Sequence, residues 1–171
     1  DKATVIDIQP VAALISESET VDVRSDSEPI ASGGPDPEQQ RAGELLAQGK
    51  WPEAEQLYLG ILARQRSSRA LNDLGVLYLK KGDVSRALGY FNQAVDADPA
   101  DTSALFNRAL AFSRSGRSRE ALEGYRALLA RQPGHFEGQY NLAIILIKQG
   151  DNAAGADAME AAVNLAGGER K

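Results

Sequence analysis

One recurring pattern constrains the fold of this chain more than any other feature. Between Ser68 and Asp101, the residues Leu71, Leu74, Gly75 and Tyr78 keep one face apolar, and Gly82 follows them. Ala87, Phe91 and Ala94 mark a second apolar face, and Pro99 closes it. Spacings of three and four residues put such side chains on one side of a helix. Glycine takes a positive φ at little steric cost, so Gly82 predicts the end of the first helix. Asp83 and Ser85 are each able to cap the start of the second, and Pro99 blocks its continuation. Gly75 and Ala87 are small enough to let the two helices approach, while Tyr78 and Phe91 fill the space around them. The stretch predicts one helical hairpin.

The hairpin recurs. A shift of 34 residues gives Leu105, Arg108, Ala109, Phe112, Gly116, Ala121, Tyr125, Leu128 and Pro133. Another 34 gives Gln139, Leu142, Ala143, Leu146, Gly150, Gly155, Met159 and Ala162. Thirty-three residues upstream stand Glu38, Arg41, Ala42, Leu45, Gly49, Ala54, Tyr58 and Ile61. The middle copies agree closely; the last carries Gly155 and Met159, and the first lacks the Leu-Gly pair and the closing proline. Helices are expected near 36–48, from Trp51-Pro52 onward, and near 68–81, 84–97, 102–115, 118–131, 136–149 and 152–166. Trp51 is expected to pack beneath its turn. The period and the small/large alternation resemble the tetratricopeptide repeat. The resemblance covers residues 35–169, about four-fifths of the chain. It implies an all-α fold, a right-handed α-solenoid of about four helix-turn-helix hairpins, with repeats at about 35–67, 68–101, 102–135 and 136–169. In such an array each hairpin buries its stripe against its neighbours, and stability is roughly a sum of local terms.

Residues 1–34 differ from the rest and read as an acidic, mostly irregular N-terminal segment in extended form. They hold seven acidic side chains against Lys2 and Arg24, whereas residues 35–171 hold seventeen of each sign, so the whole formal charge of −5 lies in the first 34. Ala31-Ser32-Gly33-Gly34-Pro35 reads as a flexible joint. The apolar patches Val5–Ile8, Val11–Ile15 and Thr20–Val23 leave two readings open. The segment is either an acidic linker or a short stretch, around Val5 to Val23, that docks on a repeat surface of its own chain or of a second copy. The chain starts with Asp1 and shows no signal-peptide pattern, which reads as a piece of a longer or processed protein. Without cysteine there is no disulfide and no thiolate chemistry, and the compartment stays open, cytoplasm and periplasm alike. No apolar run approaches the ~18 residues of a membrane span.

Catalytic and metal chemistry find little support, and no cofactor is expected. His135, the only histidine, follows Pro133-Gly134 and reads as a turn residue rather than a general base. Asp96, Asp98 and Asp101 mimic a calcium loop only superficially, because Pro99 intrudes and no bidentate Glu follows in register. With a pI of about 5.0 and no basic stripe interleaved with aromatics, nucleic acid is not an expected partner.

The resemblance also implies a groove. In that family the first helix of each hairpin lines a concave face, and the matching positions here include Arg69, Asn72, Asp73 and Lys80, then Phe106, Asn107 and Arg114, then Tyr140, Asn141 and Lys148. These ten are the candidate peptide-binding residues. Asn107 and Asn141 share one repeat position, where an amide can both donate to and accept from a peptide backbone. Lys80, Arg114 and Lys148 recur every 34 residues and should stack into a basic rail. A cation in the last turn of a helix is favoured by the helix dipole on its own account, so the rail reads equally as capping or as recognition. Some family members grip a partner's C-terminal carboxylates with Lys and Asn in their first repeat. Here those positions hold Gln39 and Gly43, so an internal segment is the expected ligand. The last helix, rich in alanine with Met159 and Val163, lacks a polar outer face and is expected to meet a neighbour, which makes Met159 and Val163 candidates for self-association. The leading expectation is a non-enzymatic protein-interaction module. The alternatives are a regulatory or substrate-recruiting domain of a larger enzyme, and a structural protein that self-assembles through its tail and last helix.

Overall fold

The computed structural model describes residues 36–168. The readings made above for residues 1–35 and 169–171 lie outside that range. Eight helices account for the described residues: α1 (Pro37–Ala47), α2 (Trp51–Arg64), α3 (Ser68–Lys80), α4 (Val84–Ala97), α5 (Thr102–Arg114), α6 (Ser118–Arg131), α7 (Phe136–Lys148) and α8 (Asn152–Gly168). There is no strand among them.

Each hairpin turns by the same device. Gly49, Gly82, Gly116 and Gly150 all take positive φ, between 74° and 88°. The residue after each glycine donates its N–H back to a carbonyl five positions earlier: Lys50 to Leu45, Asp83 to Tyr78, Arg117 to Phe112 and Asp151 to Leu146, all at 2.9–3.0 Å. That six-to-one bond satisfies a carbonyl orphaned by the helix end. Of the two residues able to cap α4, Asp83 does so, accepting from the Arg86 N–H at 3.0 Å.

Each hairpin buries a small residue on its first helix, a small residue near the start of its second and a large side chain one turn further on, and in the second hairpin a Cβ on Gly75 would lie 2.4 Å from the Phe91 ring. Ala42, Ala54 and Tyr58 fill these roles in the first hairpin, and Gly75, Ala87 and Phe91 in the second. Ala109, Ala121 and Tyr125 do so in the third, and all of these are buried. In the fourth hairpin Gly155 stands where the others have alanine. A Cβ there would lie 2.6 Å from Ile147 Cγ1, so the missing methyl lets α7 and α8 close up. Met159 replaces the aromatic and fits because an unbranched thioether adapts to an irregular gap.

Substantial contact runs only between helices that are consecutive or next but one. Trp51 is partly buried against the core that joins the first two hairpins. The last helix treats Met159 and Val163 differently. Met159 is only 6% exposed and packs with Ala143 and Ala158, with Tyr140 and Ile144 alongside. It is core of its own hairpin, whereas Val163 remains 36% exposed.

Candidate functional site

The first helices of successive hairpins lie side by side, α1 against α3 and α3 against α5. Their facing residues form a buried polar seam. Gln39 Nε2 donates to Asp73 Oδ2 at 2.6 Å, joining the first two repeats. Asn107 Nδ2 donates to Asn72 Oδ1 at 3.0 Å, joining the second and third. Asn107 is 0% exposed and Asn72 almost as buried. The seam differs from the expectation of an amide presented to a ligand. Asn107 spends its donor on the neighbouring repeat because the two first helices pack closely enough to cover it.

Asp73 is the most perturbed ionisable group at this seam. Burial pushes its carboxyl up to about 7, against the pull of Arg69, Tyr58 and Gln39, and Asp101 adds to the rise. The Tyr58 hydroxyl lies near enough for the two to perturb one another, and burial, then Asp73, raise its pKa. Neither the Tyr58 hydroxyl nor Asp73 Oδ1 reaches a partner within hydrogen-bond geometry. An uncompensated acceptor in such surroundings is costly as an anion and tolerable as an acid.

The third and fourth repeats meet differently. Phe106 is buried and stacks on His135, with ring centroids 4.9 Å apart. His135 caps α7, its Nδ1 accepting from the Gly138 N–H at 3.1 Å. Its ring therefore serves a helix start and an inter-repeat contact. Asp101 similarly caps α5 through the Ala104 N–H at 3.0 Å and accepts from Ser68 Oγ at 2.7 Å. Among the described residues no group of three or more His, Cys, Asp or Glu is arranged to hold a metal ion.

The ten candidate residues thus separate by burial. Asn72, Asp73, Phe106 and Asn107 lie in the seams between repeats. Arg69, Lys80, Arg114 and Lys148 are exposed, and Tyr140 and Asn141 are half-buried on α7. Ile147, on the same helix, is 43% exposed. Among the described residues, none of Lys80, Arg114 and Lys148 has an acidic partner within 4.0 Å. Sequence reasoning missed the links that hold the repeats together, Gln39 with Asp73 and Ser68 with Asp101. The usable signal was a polar pair one repeat apart, at 33 to 35 residues. No helix among the described residues is long and apolar enough to cross a membrane.

Comparison with known proteins places these features in context. The tetratricopeptide repeat pattern matches residues 40–102 and 106–169. A tetratricopeptide repeat and J domain-containing co-chaperone, DNJ1 of Fusarium oxysporum f. sp. lycopersici, is 37% identical over 91 residues, which make up 53% of this chain and 16% of that protein. The chain therefore spans only a small part of that relative. Among solved structures, MamA from Desulfovibrio magneticus RS-1 superposes with a TM-score of 0.71 at 20% identity, covering 79% of this chain and 77% of that one. YrrB, described as a TPR protein with an unusual peptide-binding site, gives a TM-score of 0.66 at 20% identity, covering 75% of this chain and 66% of that one. At such identities the likeness concerns the fold. With the pattern matched across most of the chain and four hairpins built on it, this protein belongs to the tetratricopeptide repeat family.

Proposed function

We propose that this array is a non-enzymatic docking module that holds a segment of another protein along its concave face. The observation that carries the reading is an exposed cation repeated at one helix position. Lys80, Arg114 and Lys148 stand at one position in three consecutive repeats, each in the last turn of its helix and each without an acidic partner among the described residues. Arg69 adds a fourth exposed cation. Tyr140, Asn141 and Ile147 on α7 supply an aromatic ring, an amide and an apolar surface within the same stretch. The ligand that suits this set is a segment with carboxylates spaced along it and an apolar residue for α7. The buried members, Asn72, Asp73, Phe106 and Asn107, set the spacing of the rail by fixing the repeats against each other.

An array of immobilised peptides of graded charge tests this reading. The wild-type chain should select acidic members, and the variant Lys80→Glu, Arg114→Glu, Lys148→Glu should lose them with unchanged helical circular dichroism. Selection that survives the charge reversal, or that favours basic peptides, would sink the proposal. A second reading, a recruiting domain within a larger protein, is favoured by the DNJ1 relative, of which the matched region is only 16%. Self-assembly through α8 is weakened as a third, since Met159 is already buried at home.

A further inference from the structure

Gln39, Asp73, Asn107 and Asn141 recur at steps of 34 residues, one on the first helix of each hairpin. Three of them are amides, and Asp73 alone can ionise. In the third repeat the amide ties its helix to the preceding one, Asn107 Nδ2 donating to Asn72 Oδ1 at 3.0 Å. At the first junction Gln39 Nε2 donates to Asp73 Oδ2 at 2.6 Å, a bond for which an asparagine carbonyl would serve as well. The acid therefore brings something the tie itself does not need, which is a proton. Asp73 is buried, and the groups acting on it come from four helices: Gln39 from α1, Tyr58 from α2, Arg69 from α3 itself and Asp101 from the cap of α5. Arg69 favours the carboxylate and Asp101 opposes it. Neither Asp73 Oδ1 nor the Tyr58 hydroxyl, both sealed from solvent, reaches a hydrogen-bond partner.

We propose that Asp73 is a proton-operated latch between the first hairpin and the rest of the array. With its carboxyl protonated, α1 and α2 stay docked on α3. With it ionised, they open from α3 while the other three hairpins keep their structure. Gln39 and Tyr58 belong to the first hairpin and leave with it, whereas Asp73 and Arg69 stay together on α3. Water then reaches the side of Asp73 that the first hairpin had covered. An ionised carboxylate gains far more from that exchange than a protonated one.

The direction follows from the proton. Burial raises the Asp73 carboxyl from 3.8 to about 7 in the docked state, so docking is favoured fully only below 3.8 and loses that advantage as pH rises through about 7. In an array whose units contact mainly their neighbours, an end hairpin can open without unfolding the rest. A second contact between α2 and the end of α3 does not titrate in this window. Glu55 accepts from Lys81 Nζ at 2.7 Å and from the Tyr78 hydroxyl, and these two partners hold its carboxyl below the ordinary range. Glu55 keeps its charge throughout and offers a pivot for the opening hairpin. The latch is also independent of Lys80, Arg114 and Lys148, which stand in the other three repeats.

Amide hydrogen exchange on the full chain, read residue by residue and corrected for the intrinsic pH dependence of exchange, tests the latch. Between about pH 5 and about pH 8 the amides of α1 and α2 should lose protection by up to roughly a hundredfold, while those of α5–α8 hold theirs. The variant Asp73→Asn should keep α1 and α2 protected at both pH values. In the wild type, the chemical shift of the Asp73 carboxyl carbon should titrate with the midpoint at which protection is lost, a reading that needs no variant. Unchanged protection in α1 and α2, or an equal loss across all eight helices, overturns the proposal. A loss that persists in Asp73→Asn, or whose midpoint departs from that of the Asp73 carboxyl, assigns the opening to another group and overturns it too.

Discussion

Asp73→Asn isolates the cost of a buried charge at the junction of the first two repeats. The side chain is 3% exposed, and burial raises its carboxyl from 3.8 to about 7. Between those two pH values the native state keeps a proton that the unfolded chain has released. Stability is therefore fully present only below 3.8, falls as pH rises through the window, and levels off above about 7. The difference corresponds to roughly 4 kcal/mol at about 1.36 kcal/mol per pH unit. Asparagine keeps a carbonyl oxygen for the Gln39 Nε2 donor and removes the charge. The variant should approach the wild type as pH falls below 3.8 and exceed it at about pH 8 by up to roughly 4 kcal/mol. Urea unfolding followed by far-UV circular dichroism at several pH values reads this directly, as a shift in midpoint at constant slope. The carboxylates whose pKa is lowered, Glu38, Glu55 and Glu120, act in the opposite sense and cancel in the difference between the two proteins. Parallel pH profiles for the two proteins would refute the reasoning. A variant less stable at pH 8 would show that the Gln39 hydrogen bond to the ionised carboxylate outweighs its burial.

Two further changes probe the packing. Asn107→Leu removes the donor to Asn72 Oδ1 across the second and third repeats. It should cost about 1–3 kcal/mol in thermal or urea unfolding, since a buried acceptor is left short of a partner; an unchanged melting temperature would show that the seam is indifferent to that bond. Met159→Glu buries a carboxylate beside Ala143 and Ala158, and should destabilise the last hairpin by several kcal/mol. Faster amide exchange confined to α7 and α8 is the expected signature, and a stable, more soluble monomer would contradict the placement of Met159 in the core.

Helices, turns and the register of the four hairpins were legible in the chain itself, because each depends on contacts within about one repeat. The return of Gly49, Gly82, Gly116 and Gly150 sets the turns, since only glycine takes positive φ freely at every one of them. The alternation of Ala42, Gly75, Ala109 and Ala143 with large partners sets the close approach of each helix pair. What lies between repeats was decided only by tertiary structure. Asn72 and Asp73, neighbours in sequence and alike in polarity, turn to different repeats, one receiving Asn107 and the other Gln39. Asn107 and Asn141 share a repeat position, yet the first is sealed and the second half-exposed. Met159 has the composition of an interface residue and the burial of a core one. The physical reason is the same in each case. A periodic pattern records which face of a helix is turned inward, whereas burial depends on how closely the next helix in space approaches that face.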